Sequence, residues 1–242
     1  MALMMIEFHS NVLELNTNLY VIKPNILQDN EELKVLYLLH GYQGNYANWV
    51  KYTNLIRYVD GTNLLVVMPS GYNSFYVNHE IFGDYSKYVA EEIYELINKT
   101  FNIKQTRENT FVAGLSMGGY GALKTALSYP EKYSKAVGFS SVIKLENMID
   151  RVKDSLRPKT ELFLNKDTAK KNSLYTLSKK ALNKVELYFT CGTEDSLFNE
   201  NEDFHKHLNE IKYNHTYLTG PGAHSWDYWD QEIKKALKWI LK

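Results

Sequence analysis

Cysteine is almost missing from this chain. The single Cys191 among 242 residues rules out an intrachain disulfide, which is compatible with a reducing compartment. Charge of one sign is missing too: 28 Lys and Arg balance 28 Asp and Glu, for a formal net charge of +0. With no basic surplus to neutralise phosphates, nucleic acid is not an expected partner. No stretch approaches the roughly 18 consecutive apolar residues of a membrane span, so none is expected. The opening MALMMIEFHS has neither a charged leader nor a long apolar run, so the expectation is a cytoplasmic protein without a signal peptide. There is no H-E-x-x-H and no paired-cysteine spacing, so no metal site is expected. Internal repeats and low-complexity linkers are absent as well.

Hydrophobic residues make up 44% and charged residues 23%, an ordinary globular balance, and the length suits one large α/β domain over residues 1–242. The runs KVLYLLH, NLLVVMP, NTFVAG, KAVGFS, VELYFTCG and HTYL are short and apolar. They read as strands of a mainly parallel sheet, buried on both faces. IEFHS and LNTNLYVIK alternate more and suggest antiparallel strands at one edge. Between the runs lie helical patterns. DYSKYVAEEIYELINKTF puts Tyr85, Val89, Ile93, Leu96 and Ile97 on one face, with Asp84 as a candidate N-cap. Phe204, Leu208 and Ile211 mark a second helix; Trp229, Ile233, Leu237 and Ile240 mark the last. Helices on both faces of such a sheet are expected from the alternation. Residues 141–184 break the rhythm and read either as a cap over the sheet's carboxyl edge or as an ordinary excursion of helix and loops.

The chemistry centres on Gly114-Leu115-Ser116-Met117-Gly118, which follows an apolar strand and precedes the helical GYGALKTALSY. This is the strand–turn–helix setting of a nucleophile elbow. The turn forces a strained backbone on Ser116, and Gly114 and Gly118 remove the collisions that larger side chains would cause. A serine hydroxyl needs a base to take its proton. Just past VELYFTCG stand Glu194 and Asp195, and His224 lies on the loop after the final strand. Asp195 is assigned as the acid and His224 as the base, with Glu194 the competing carboxylate. His40-Gly41-Tyr42-Gln43-Gly44 follows the strand KVLYLL and could aim backbone N–H groups at an oxyanion. The expected donors are the N–H groups of Met117 and Tyr42, with His40 holding the loop.

The remaining histidines point to no site. His205 and His207 lie two apart on a helix, face different directions and read as solvated. Cys191 reads as a small buried hydrophobe. Nineteen tyrosines favour aromatic walls in a cleft. Tyr42, Tyr46, Trp49, Trp226, Tyr228 and Trp229 flank the candidate site in sequence and predict a pocket that ends early and so prefers short acyl chains, although Trp229 also shares the last helix's apolar stripe.

Taken together, HGYQGNYANW, NLLVVMPSG, FVAGLSMGGYGAL, CGTEDSLF and HSWDYW resemble the esterase D family of α/β-hydrolases, and within it the bacterial tributyrin esterases. The likeness spans most of residues 35–230. It implies an α/β-hydrolase fold and a serine carboxylesterase acting on small acyl esters, with triad Ser116, Asp195 and His224 and oxyanion donors Met117 and Tyr42. It implies no metal or organic cofactor. Family members often form dimers or tetramers, so the resemblance also implies a homo-oligomer. Acyl transfer to a sugar or thiol, or an S-formylglutathione-type thioesterase, is the alternative within enzymes. S-formylglutathione hydrolases usually carry a Cys shortly after the His-Gly pair, where this chain reads HGYQGN. A non-catalytic binding protein would not need all three triad residues in order.

Overall fold

Two antiparallel strands open the chain, β1 (Ala2–Ser10) and β2 (Leu15–Lys23), as their alternating pattern predicts. The structure is a computed structural model and describes residues 1–25, 32–80, 83–148 and 165–242. After β3 (Lys34–Leu39) and β4 (Leu64–Pro69) comes a two-residue hairpin, β5 (Asn78–His79) and β6 (Gly83–Asp84). The large sheet continues with β7 (Thr110–Leu115), β8 (Lys135–Phe139), β9 (Glu186–Gly192) and β10 (His215–Gly220). Its order is β1-β2-β4-β3-β7-β8-β9-β10. From β4 to β10 every neighbouring pair is parallel.

Parallel strands need crossovers, and the crossover helices bury both faces of the sheet. β3 shows the result. Val35, Tyr37 and Leu39 enter one core with Tyr88, Ile93, Tyr120 and Phe204, while Leu36 and Leu38 enter the other with Trp49, Leu55, Ile233 and Leu237. The helical stretch from Tyr85 to Phe101, the elbow helix Met117–Ser128 and the helix Phe198–Glu210 cover the first face. Short helices at Asn48–Tyr52 and Leu55–Val59 and the last helix, Trp226–Ile240, cover the second.

Three local expectations need correction. HTYL is not buried on both faces: among the described residues β10 pairs only with β9, at the edge of the sheet, and Leu218 is exposed. Asp84 precedes its helix but makes no side-chain cap; the Ser86 N–H donates instead to Asn78 Oδ1 at 2.8 Å, an acceptor from β5. That helical stretch also widens into a π-helix over Tyr88–Ile93. In this segment Glu92 leaves the core side and accepts from Ser10 Oγ (2.5 Å) and the Asn11 N–H (2.6 Å), tying down the β1–β2 turn.

Of the stretch 141–184, residues 149–164 lie outside the described residues. Its later part forms helices at Lys166–Lys171 and Leu174–Lys180. They dock on the elbow helix, where the Tyr120 hydroxyl donates to the Asn172 carbonyl at 2.8 Å. Loops from the carboxyl ends of β3, β7, β9 and β10 carry His40, Ser116, Asp195 and His224 respectively. In open α/β sheets this is the edge at which ligands bind.

Candidate active site

β7 ends on Leu115 and the elbow helix starts on Met117, so Ser116 alone turns the chain. It does so at φ 53°, ψ −116°, a costly conformation for a residue with a Cβ. The turn is held by three backbone bonds. The Ser116 N–H donates to the Phe139 carbonyl at 2.8 Å, and its carbonyl accepts from the N–H groups of Tyr120 (3.0 Å) and Val142 (3.2 Å). Glycine is needed on both sides. A methyl on Gly114 would lie 2.3 Å from the Gly118 carbonyl oxygen, and one on Gly118 would lie 2.5 Å from that of His40.

Ser116 Oγ stands 3.0 Å from His224 Nε2, and His224 Nδ1 stands 2.9 Å from Asp195 Oδ2. A carboxylate only accepts, so Nδ1 carries the proton and Nε2 faces the serine hydroxyl as an acceptor. The Asp195 side chain has no solvent exposure. Burial alone would raise its pKa. Hydrogen bonds from His224, the Leu197 N–H (2.8 Å) and the Ser140 hydroxyl outweigh that and hold it below the usual carboxylate range. The ring of Trp229 meets His224 edge to face at 4.9 Å and donates its Nε1–H to Ser140 Oγ at 3.1 Å. Glu194 reaches neither ring nitrogen. It is exposed but not idle: Oε2 accepts the Gly222 N–H at 2.6 Å, and its own N–H donates to the Gly222 carbonyl at 3.0 Å. The loops bearing Asp195 and His224 are thereby zipped together.

The loop after β3 forms a turn closed by the Gly44 N–H on the Gly41 carbonyl at 3.0 Å, with Gln43 at φ 62°. It brings Tyr42 into the cleft that Ser116 and His224 also line. Met117 is the first residue of the elbow helix, where N–H groups lack intrahelical partners and partial positive charge collects. His40 is buried behind this loop. Its Nδ1–H donates to the Gly41 carbonyl at 2.7 Å, so Nε2 accepts the Gly71 N–H at 2.8 Å. Burial lowers its pKa to about 4, against the opposing pull of the Gly41 carbonyl. His40 therefore holds the loop as a neutral imidazole.

The esterase family model, described as "Putative esterase", matches residues 10–240. The chain belongs to this family. An acetyl esterase from Caldicellulosiruptor saccharolyticus is 35% identical over 100% of this chain and 99% of the relative. Among solved structures, the chain resembles the fluorophosphonate-binding serine hydrolase FphF of Staphylococcus aureus, determined with substrate bound, at a TM-score of 0.91 and 31% identity over 100% of this chain and 98% of the other. It also resembles the S-formylglutathione hydrolase of the same organism, at a TM-score of 0.87 and 32% identity over 100% and 99%. The protein is thus an esterase D-like serine carboxylic ester hydrolase with the α/β-hydrolase fold.

The esterase's cleft has a volume of about 520 Å³ and is lined by Tyr42, Gln43, Asn48, Tyr52, Trp226 and Trp229 beside Ser116 and His224. Trp226 packs against Tyr52 at 5.0 Å and edge to face on Trp49 at 5.4 Å. Other aromatics singled out by sequence lie elsewhere. Trp49 is core and donates to the Leu39 carbonyl, Tyr228 is buried against Thr190, and Tyr46 packs on Tyr20. Tyr52 was not foreseen; its helix is short, and only the fold brings it to Trp226. The two helical histidines are not solvated as expected. His207 is buried and bonded to Ser178 Oγ at 3.1 Å, and His205 is bonded to His215 at 2.8 Å. Cys191 is fully buried, which pushes its thiol pKa up. Among the described residues, no three His, Cys, Asp or Glu side chains are grouped to hold a metal ion, and no helix is long and apolar enough to cross a membrane.

His40 makes stability depend on pH. The unfolded chain takes up its proton below about 6.5, while the folded protein resists until about 4. The folded state therefore loses stability as pH falls through this window, by on the order of 3 kcal/mol. Denaturant unfolding of wild type and His40→Gln at pH 7 and pH 4 should show a smaller acid-induced loss in the variant. Equal losses would mean that His40 does not stay neutral.

Proposed function

We propose that this esterase cleaves short-chain acyl esters through an acyl-enzyme, with Ser116 as nucleophile, His224 as general base and then acid, and Asp195 as the orienting acid. The observation that carries this reading is one imidazole bridging the strained Ser116 hydroxyl and a buried, fully hydrogen-bonded carboxylate. In the first half-reaction Ser116 Oγ bonds to the ester carbonyl carbon and its proton passes to His224 Nε2. Asp195 stabilises the resulting imidazolium. Charge gathers on the former carbonyl oxygen, which takes hydrogen bonds from the N–H groups of Met117 and Tyr42. Each such donor is typically worth about 3–4 kcal/mol in the transition state. Collapse breaks the bond to the alcohol, which leaves with the His224 proton, and water then repeats the sequence to release the acid.

The tributyrin-esterase likeness and the acetyl esterase relative support acyl groups from acetyl to butyryl. So do Tyr52, Trp226 and Trp229, whose rings wall the cleft. A thioester substrate is the second reading, favoured by the likeness to an S-formylglutathione hydrolase. Turnover of S-formylglutathione faster than that of p-nitrophenyl acetate would select it.

Ser116→Ala should lower kcat by about 10⁶-fold with the fold intact. Asp195→Asn should lower it by roughly 10⁴-fold, because the histidine loses its orienting acceptor. Glu194→Gln should stay near wild type, since the amide oxygen still accepts the Gly222 N–H. Appreciable turnover by clean Ser116→Ala would remove the nucleophile assignment, and a crippled Glu194→Gln beside an active Asp195→Asn would move the acid by one residue.

Acyl length gives a separate check. Each methylene that fits a pocket adds about 0.8 kcal/mol of binding. For p-nitrophenyl esters below micelle-forming concentration, kcat/KM should therefore fall beyond roughly four acyl carbons, where added methylenes no longer gain buried area. A maximum at eight carbons or more would mean that the aromatic walls do not close the pocket.

A further inference from the structure

The two proposed oxyanion donors come from segments far apart in the chain. Met117 belongs to the elbow helix and Tyr42 to the loop after β3. Useful geometry must hold to within about 0.5 Å, so something must fix one segment against the other. The loop after β4, residues 71–77, meets both.

Toward the Tyr42 side it makes four contacts. Asn73 Oδ1 accepts the Gln43 N–H at 2.8 Å, the residue next to Tyr42. The Gly71 N–H donates to His40 Nε2 at 2.8 Å, and the Tyr76 hydroxyl donates to the His40 carbonyl at 3.1 Å. The ring of Phe75 packs on that of Tyr42 at 5.9 Å. Toward the elbow helix, the Tyr76 ring lies so close to Gly121 that a methyl there would be 2.3 Å from it. Lys124, on the same helix and almost fully buried, donates to the Tyr76 carbonyl at 3.0 Å and to Ser86 Oγ. Burying a lysine costs stability, and here it anchors this loop. The loop itself is strained: Tyr72, Phe75 and Tyr76 all have positive φ, at 48°, 51° and 54°. Strain of this kind persists only where the surroundings over-determine the backbone. The Ser74 hydroxyl helps, donating to the Gly71 carbonyl at 2.6 Å and accepting the Tyr76 N–H at 3.0 Å.

We propose that the 71–77 loop is a brace that sets the oxyanion site, with Asn73 and Tyr76 as positioning residues and Lys124 as its tie to the elbow helix. This rests on the reading of Met117 and Tyr42 as the donors. Neither positioning residue lines the cleft beside Ser116; each acts through the backbone of residues 40–43.

Tyr76→Phe removes one hydroxyl, Asn73→Leu removes the acceptor for Gln43, and Asn73→Asp keeps that acceptor. With p-nitrophenyl acetate, Tyr76→Phe and Asn73→Leu should lower kcat by about 10- to 100-fold, as misplacement of a catalytic group does, with KM changed by no more than about twofold. Asn73→Asp should recover most of the Asn73→Leu loss. Ser116→Ala is run alongside. If it stays active, the reading beneath the brace fails. If it is inactive while Tyr76→Phe and Asn73→Leu keep wild-type kcat, the brace alone is overturned. The brace is also overturned if KM carries the whole effect, or if Asn73→Asp is as impaired as Asn73→Leu. Should Tyr76→Phe fail to fold, the Asn73 pair decides.

Discussion

A single residue, Ser116, has to reverse the chain between a buried strand and a buried helix while its hydroxyl faces solvent. Its positive φ is unfavourable and is kept only because the neighbourhood leaves no other path. Phe139, Tyr120 and Val142 hold its backbone groups, and the glycines on either side let the helix start against the backbone of Leu39 and His40. The same close approach sets the elbow helix beside the loop of Tyr42. Much of the molecule can be understood as support for this turn: parallel strands buried on both faces supply a rigid edge, and the loops leaving that edge supply the partners.

Two supports reach the site from opposite sides. On one, Glu194 and Gly222 fasten the loop of Asp195 to the loop of His224. On the other, His40 is a neutral hydrogen-bonding post, buried too deeply to take a proton near neutral pH. Asp195 is the reverse case, buried yet kept ionised by the bonds it accepts. Burial pushes both groups toward neutrality, and the supply of donors decides which one keeps its charge.

The fold was largely legible because its signals are local. Apolar runs such as KVLYLL and LLVVMP, turn glycines, and the alternation in β1 and β2 each report on a few adjacent residues. The G-x-S-x-G turn was legible for the same reason, and the chain order Ser, Asp, His selected the partners that the fold brings together. What stayed hidden depends on contacts between distant segments. Nothing near Asn73 or Tyr76 marks them as partners of residues 40–43. Lys124, read along its helix, is an ordinary polar residue, yet it is buried. The histidines of the helix Phe198–Glu210 read as solvated because they lie two apart and face different directions, but Ser178 bonds one and His215 the other. Asp84 lost its cap role to Asn78 of the hairpin before it. β10 reads as apolar but is only partly buried, because among the described residues it pairs with β9 alone.

The central claim is that Ser116 is the activated nucleophile. The most direct measurement treats the wild-type protein with a fluorophosphonate and locates the adduct by peptide mass spectrometry. The account predicts one phosphonyl group per chain, on Ser116, formed in step with loss of esterase activity. An adduct on Ser140, Ser141 or any other residue, or complete inactivation with Ser116 unmodified, would contradict it.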